Sequence, residues 1–277
     1  MKNLKLAAVC LSCLTMTGCS ALNFSVEGLI NAPKLTSEQS EIHQALIESV
    51  GSNITLKYPK NGEYRSAYVI ANIDDEPTDE AMVFYEYTSN GSEEDGLRVY
   101  ILDKDENGKW YSVKELAGAG TDIDQVIISP MGSNNQTDVF VGYQNLTNDE
   151  KTMEIYSYTD GDFKRVALDT YSVLEPLDIN NDGYIELITI QRSTNNDTGA
   201  VTAKASMLNM KNNEITRGEN VDMCDNVTSY VSSKTGMLDS GRRAIFIDGL
   251  TADGKLQTEI IYYRYSGLQN PMQLRSE

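Results

Sequence analysis

The sequence predicts an all-β protein of repeated four-stranded units, preceded by one short helix. Three observations predict it. After residue 52, short runs rich in Val, Ile, Tyr and Phe alternate with turns of Asn, Asp and Gly, the pattern of strands joined by tight connections. A strand, polar loop, strand segment then recurs four times, and a hairpin follows each occurrence. Four strands thus return roughly every fifty residues, which is the size of a propeller blade.

The first 19 residues, MKNLKLAAVCLSCLTMTGC, place Lys2 and Lys5 ahead of an apolar run that ends in small residues and a cysteine. The run is too short to cross a bilayer, so residues 1–18 have the layout of a secretory signal peptide. The residues MTGC, 16–19, resemble a bacterial lipobox, with Met16 where that family usually has Leu. The resemblance implies cleavage before Cys19, lipidation of Cys19, and a chain held on the extracytoplasmic face of the cell membrane. Ordinary secretion with cleavage elsewhere is the alternative. Two or three acyl chains on one cysteine hold a membrane far more firmly than one. Residues 19–34 have no clear period and read as a tether.

With Cys10 and Cys13 removed and Cys19 lipidated, Cys224 stands alone. No disulfide can then form within one mature chain, so stability rests on burial and on metal. Cys224 itself reads as a small buried hydrophobe. The formal net charge is −18, from 23 basic and 41 acidic residues, and loss of Lys2 and Lys5 takes it to −20. Such acidity repels phosphates and argues against a nucleic-acid partner. It suits solubility and divalent cations, although a solvated acidic face explains it as well.

Residues 35–52, LTSEQSEIHQALIESVGS, read as an amphipathic helix. Thr36 and Gln39 have the spacing of a capping box. Ile42, Leu46 and Val50 recur every four residues, Ala45 joins their face, and Gly51 is a natural stop. His43, the only histidine, is expected at the surface or as a cap.

Residues 53–277 form the repeat domain. Its strand, loop, strand units are 66–87, 124–144, 172–191 and 228–249, and alignment on the second strand places Glu80, Asp138, Glu186 and Arg243 in register. Between them lie hairpins at 97–116, 152–168, 203–218 and 257–274, with turns expected at 105–108, at Asp160 and Gly161, and at Asn212 and Asn213. About four blades result. Either they form a small or open array, or the sequence is a piece of a longer one.

The third unit contains DINNDGYIE. Its oxygens fall at loop positions one, three, five and nine, on Asp178, Asn180, Asp182 and Glu186, and Tyr184 at position seven offers its backbone carbonyl. Gly183 supplies the sharp turn. Six or seven oxygens arranged this way suit calcium, and three carboxylates this close repel one another unless a cation neutralises them. A polar turn without an ion is the plainer account. An EF-hand begins alike but needs Glu at position twelve and flanking helices. Here position twelve is Thr189 and the flanks are strand-like.

The loop and its setting resemble the FG-GAP/VCBS repeats of integrin-like β-propellers, over about residues 65–275. That resemblance implies a β-propeller or partial propeller with structural calcium in an Asp-rich loop between the first strands of a blade. In register, the first unit offers a second candidate loop of Asn72, Asp74, Glu76 and Glu80, with Pro77 where the family prefers Gly. The second unit keeps only Asp138 and the fourth has Arg243 at the ninth position, so neither is expected to hold an ion. The stretch 103–110, DKDENGKW, has no terminal acid and reads as a hairpin turn.

One histidine, no cysteine beside it, no phosphate-binding glycine loop and no zinc spacing leave no catalytic constellation. The expected function is a non-enzymatic, lipid-anchored surface lipoprotein whose calcium-stabilised array binds a protein or glycan. The alternative is a carboxylate-based carbohydrate-active enzyme, or its accessory subunit.

Overall fold

A computed structural model describes residues 35–88, 96–130, 137–145, 150–211, 214–218, 220–225 and 227–271. Cys19, the signal peptide, the tether, Asn212, Asn213 and most of the second polar loop lie outside the described residues. The chain divides into two compact units, 1–40 and 41–277.

Helix α1 runs Ser37–Val50 and begins in the first unit. Gln39 N–H donates to Thr36 Oγ1 at 3.1 Å, and Thr36 N–H donates to Gln39 Oε1 at 3.1 Å. This reciprocal box makes Thr36 the cap, so the helix starts two residues later than the expected 35. Gly51, with φ of 85°, ends it before the expected 52.

Among the described residues, the second unit holds four antiparallel sheets, which we label A to D in chain order. Sheet A comprises β1 (Ile54–Leu56), β2 (Tyr68–Ala71), β3 (Glu80–Tyr87), β4 (Leu97–Lys104) and β5 (Trp110–Ala117). Strands β1 and β2 lie end to end along the same side of β3. Sheet B is β6 (Asp122–Ser129), β7 (Asp138–Gln144), β8 (Lys151–Thr159) and β9 (Asp162–Tyr171). Sheet C is β10 (Val173–Leu177), β11 (Glu186–Thr194), β12 (Val201–Lys211), β13 (Glu214–Arg217) and β14 (Val221–Asp222), the last two sharing the outer side of β12. Sheet D is β15 (Val227–Met237), β16 (Arg243–Thr251), β17 (Leu256–Arg264) and β18 (Gly267–Gln269). The four expected units are therefore four sheets, each following its chain order.

The residues aligned in register each open the strand that stands second across their sheet: Glu80 for β3, Asp138 for β7, Glu186 for β11 and Arg243 for β16. Period-two alternation then divides the apolar side chains of each sheet between two faces. In sheet A, Val69, Met82 and Phe84 meet Val126, Val139 and Val141 of sheet B. On its opposite face Tyr68, Val83 and Tyr85 meet Ile42 and Leu46 of the helix. Phe140, Met153 and Ile155 of sheet B pack with Leu174, Leu187 and Leu208 of sheet C. Ile188, Ile190 and Ala205 of sheet C pack with Ile245, Ile247 and Ile261 of sheet D.

Two single-residue expectations need correction. His43 is half-buried, because the helix lies on sheet A and brings its Nδ1 within 2.8 Å of Tyr68 Oη. Cys224 is likewise only half-buried, and burial, with Glu259 beside it, pushes its thiol up to about 12. That keeps it protonated and unreactive.

Candidate metal centres

The loop between β10 and β11 folds around its own acids. Asp178 is buried, and its carboxylate accepts N–H bonds from Asp182 at 3.0 Å and Gly183 at 3.2 Å. Asn180 Oδ1 accepts the Asp182 N–H at 2.8 Å, and Asp182 Oδ1 accepts the Tyr184 N–H at 3.0 Å. Left-handed φ at Asn181 (64°) and Gly183 (96°) produces the tight bends that let one carboxylate reach two successive N–H groups. Glu186, 4 % exposed, closes the loop by accepting the Ile179 N–H at 3.0 Å. Burial pushes its carboxyl up to about 7, and the charges of Asp182 and Asp178 add to the push.

Asp178, Asn180, Asp182 and Glu186 are thus brought together, while the contact of Tyr184 is made by its N–H and not by the carbonyl expected as a ligand. The Asn180 amide nitrogen sits 3.0 Å from Asp182 Oδ2 and 2.7 Å from Glu186 Oε1. It bridges the two carboxylates as a cation would, with far less charge. A set of hard oxygens whose terminal carboxyl is buried beside like charges fits calcium.

The loop between β2 and β3 repeats the closing contact. Glu80 is buried, and its Oε2 accepts the Ile73 N–H at 2.8 Å, matching Glu186 and Ile179 in sheet C. Burial again raises the carboxyl to about 7, and the other oxygen, Oε1, is buried without a hydrogen-bond partner. Asp74 Oδ1 accepts the Glu76 N–H at 2.7 Å, while Asn72 donates its side-chain amide to the Glu76 carbonyl. The Glu76 side chain is exposed. Burial also raises Asp74, and the charge of Asp103 on β4, a residue outside the expected set, adds to the push on both Asp74 and Glu80. Tyr111 Oη donates to Asp103 at 2.9 Å. The orphaned Glu80 oxygen is a buried hard donor that a divalent cation would satisfy.

The stretch 103–110 does form a turn, with Asp105 accepting N–H bonds from Asn107 and Lys109 at 2.9 Å. Its first residue, Asp103, is the last but one of β4, the strand that pairs with β3, and lies one position beyond the Ala81 to Leu102 pair. In the second unit, residues 131–136 lie outside the described residues, and Asp138 accepts the Ser157 hydroxyl. In the fourth, Arg243 reaches across to sheet C. Its Nη1 lies 2.9 Å from Asp178 Oδ2 and donates to the Asp178 carbonyl at 2.8 Å. The position without an acid thus supplies a cation to the neighbouring loop.

No family model and no curated protein matches the chain. The reading of these centres therefore rests on their geometry alone. Among the described residues, no helix is long and apolar enough to cross a membrane.

Proposed function

We propose that this chain is a non-enzymatic lipoprotein, anchored through Cys19 on the extracytoplasmic face of the membrane, that binds a protein or glycan. In this reading the four sheets act as blades of a partial propeller, and calcium in loops 178–186 and 72–80 stiffens it structurally. The helix supports a partial propeller, since it covers the face of sheet A that a closing blade would take. One observation carries the calcium assignment. Two loops of different sequence end on a buried Glu that accepts the N–H of the residue seven positions earlier, with further carboxylates beside it.

When bound, calcium would neutralise each acidic group and hold its two strands in register. Asp178, Asn180, Asp182 and Glu186 would hold it in sheet C. Asp74, Glu80 and Asp103 would hold it in sheet A.

The test compares wild type, Asp182→Ala and Cys19→Ser. At about a hundredfold excess over Kd, a ligand specific to the folded state adds ~2.7 kcal/mol, which is several degrees in Tm for a domain of this size. Wild type should show that rise with calcium, and Asp182→Ala should lose the share that the sheet C loop contributes. An equal rise in both disproves the sheet C site. Cys19→Ser should leave the membrane fraction, and retention there would refute the anchor.

A further inference from the structure

A cavity of about 580 Å3 opens where the first strands of sheets B, C and D meet the 61–64 segment. Its charged lining is Glu63, Asp124 and Glu175 against one cation, Lys151. Lys151 is already committed, with Nζ 2.8 Å from Asp124 Oδ1. Asp124 has two further partners besides Lys151, since its second oxygen accepts Tyr171 Oη–H at 2.6 Å and the first also accepts Asn61 Nδ2–H at 2.8 Å. That corner of the cavity is closed.

Glu175 is different. It sits in the middle of β10, paired with Ile188, and its side chain reaches the Ser233 hydroxyl on β15. Among the described residues no Lys or Arg comes within ion-pair distance of it. A carboxylate has about four acceptor sites, and one hydroxyl fills one of them. Half-buried and without a cation, such a group favours its charged form less than a carboxylate in open water does. Burial accordingly raises its carboxyl, and the Ser233 bond lowers it only in part. Beside it, Val173 and Val231 give the wall an apolar stretch suited to methylene groups.

We propose that this cavity binds a primary ammonium group on an aliphatic stem, seated on Glu175 and Ser233, either as a free alkylamine or as the lysine side chain of a peptide. Three donors on one cation match the open acceptor sites of Glu175. The acidic excess of the lining and of the whole chain draws a cation and repels an anion. The site is independent of the metal loops and of the anchor.

The probes are n-butylammonium, 1,5-diaminopentane and a capped Gly-Lys-Gly peptide, with 1-butanol and a hexose as neutral controls. Titrations by calorimetry and thermal shift are run with chelator at fixed ionic strength. The ammonium probes should bind and raise Tm, and the neutral ones should not. Tighter binding of the peptide assigns the site to a protein lysine, and tighter binding of the diamine assigns it to free amines. Glu175→Gln should weaken the ammonium probes by at least about tenfold, while leaving the unliganded protein as stable as wild type or more so. Asp182→Ala should bind them unchanged. Binding of the hexose in place of the amines, undiminished amine binding in Glu175→Gln, or a large loss of unliganded stability in that variant each overturns the proposal. Should Glu175→Gln fail to fold, Val231→Trp adds bulk at the exposed rim of the cavity and keeps the carboxylate itself. It must then abolish amine binding, and retained binding is equally fatal.

Discussion

Glu80 and Glu186 stand at the same point of two sheets with carboxyls raised to about 7 from an ordinary 4.5. The folded state then holds these protons more tightly than the unfolded chain does. Their contribution is unfavourable and fully present above pH 7, and it fades as pH falls towards 4.5. The carboxyls held low, Asp122, Asp162 and Asp248 among them, lose their stabilising effect only below their ordinary 3.8, outside that window. In chelator, Tm should therefore climb between pH 8 and pH 5, and calcium should flatten or reverse the climb by taking the place of the protons. A chelator profile that falls steadily over those pH values would contradict the burial of both carboxyls. Much of this site was legible in the sequence, because the ligands of a loop are local: Asp178, Asn180, Asp182 and Glu186 lie within nine residues. Asp103 and Arg243 were not legible as contributors. Each reaches the site from another strand or sheet, and spacing along the chain carries no trace of such a contact.

At the scale of elements, turn chemistry made some hairpins readable and hid others. Asp160 and Gly161 adopt φ of 55° and 73°, the left-handed pair of a two-residue type I′ turn. Tyr265 and Ser266 make the same turn at 52° and 68° without glycine or asparagine, so composition gave no signal there. The split strands, β1 beside β2 and β13 beside β14, also escaped the pattern, since runs of two to four residues are too short to show a period. Gly142, in the middle of β7, shows a further constraint of packing. A Cβ at that position would collide with Tyr171 Oη, the hydroxyl that donates to buried Asp124. Gly142→Ala should cost about 1–3 kcal/mol through overpacking and disturb the Asp124 to Lys151 pair as well. Chemical denaturation measures it, and a loss below roughly 0.5 kcal/mol, the ordinary range for surface changes, would mean that Tyr171 moves aside freely.

For the whole molecule, a net charge of −18 means that any added salt relieves self-repulsion, and this general effect must be separated from occupation of a site. The two differ in concentration and in the residues they need. Screening depends on the Debye length, about 10 Å at 0.1 M and 3 Å at 1 M, so sodium chloride acts over hundreds of millimolar and is indifferent to one side chain. Extracellular calcium loops fill at about 10⁻⁴–10⁻³ M, where calcium adds little to ionic strength. Sodium chloride should therefore raise Tm gradually and alike in wild type and Asp182→Ala. Low-millimolar calcium should act more on wild type than on the variant, which keeps only the 72–80 loop, and magnesium, which resists giving up its water, should act less on both. Thermal melts of the two proteins in the three salts decide the matter. Calcium and magnesium curves that coincide, in both proteins, would reduce the acidic loops to a solvated surface whose charge any divalent ion can screen.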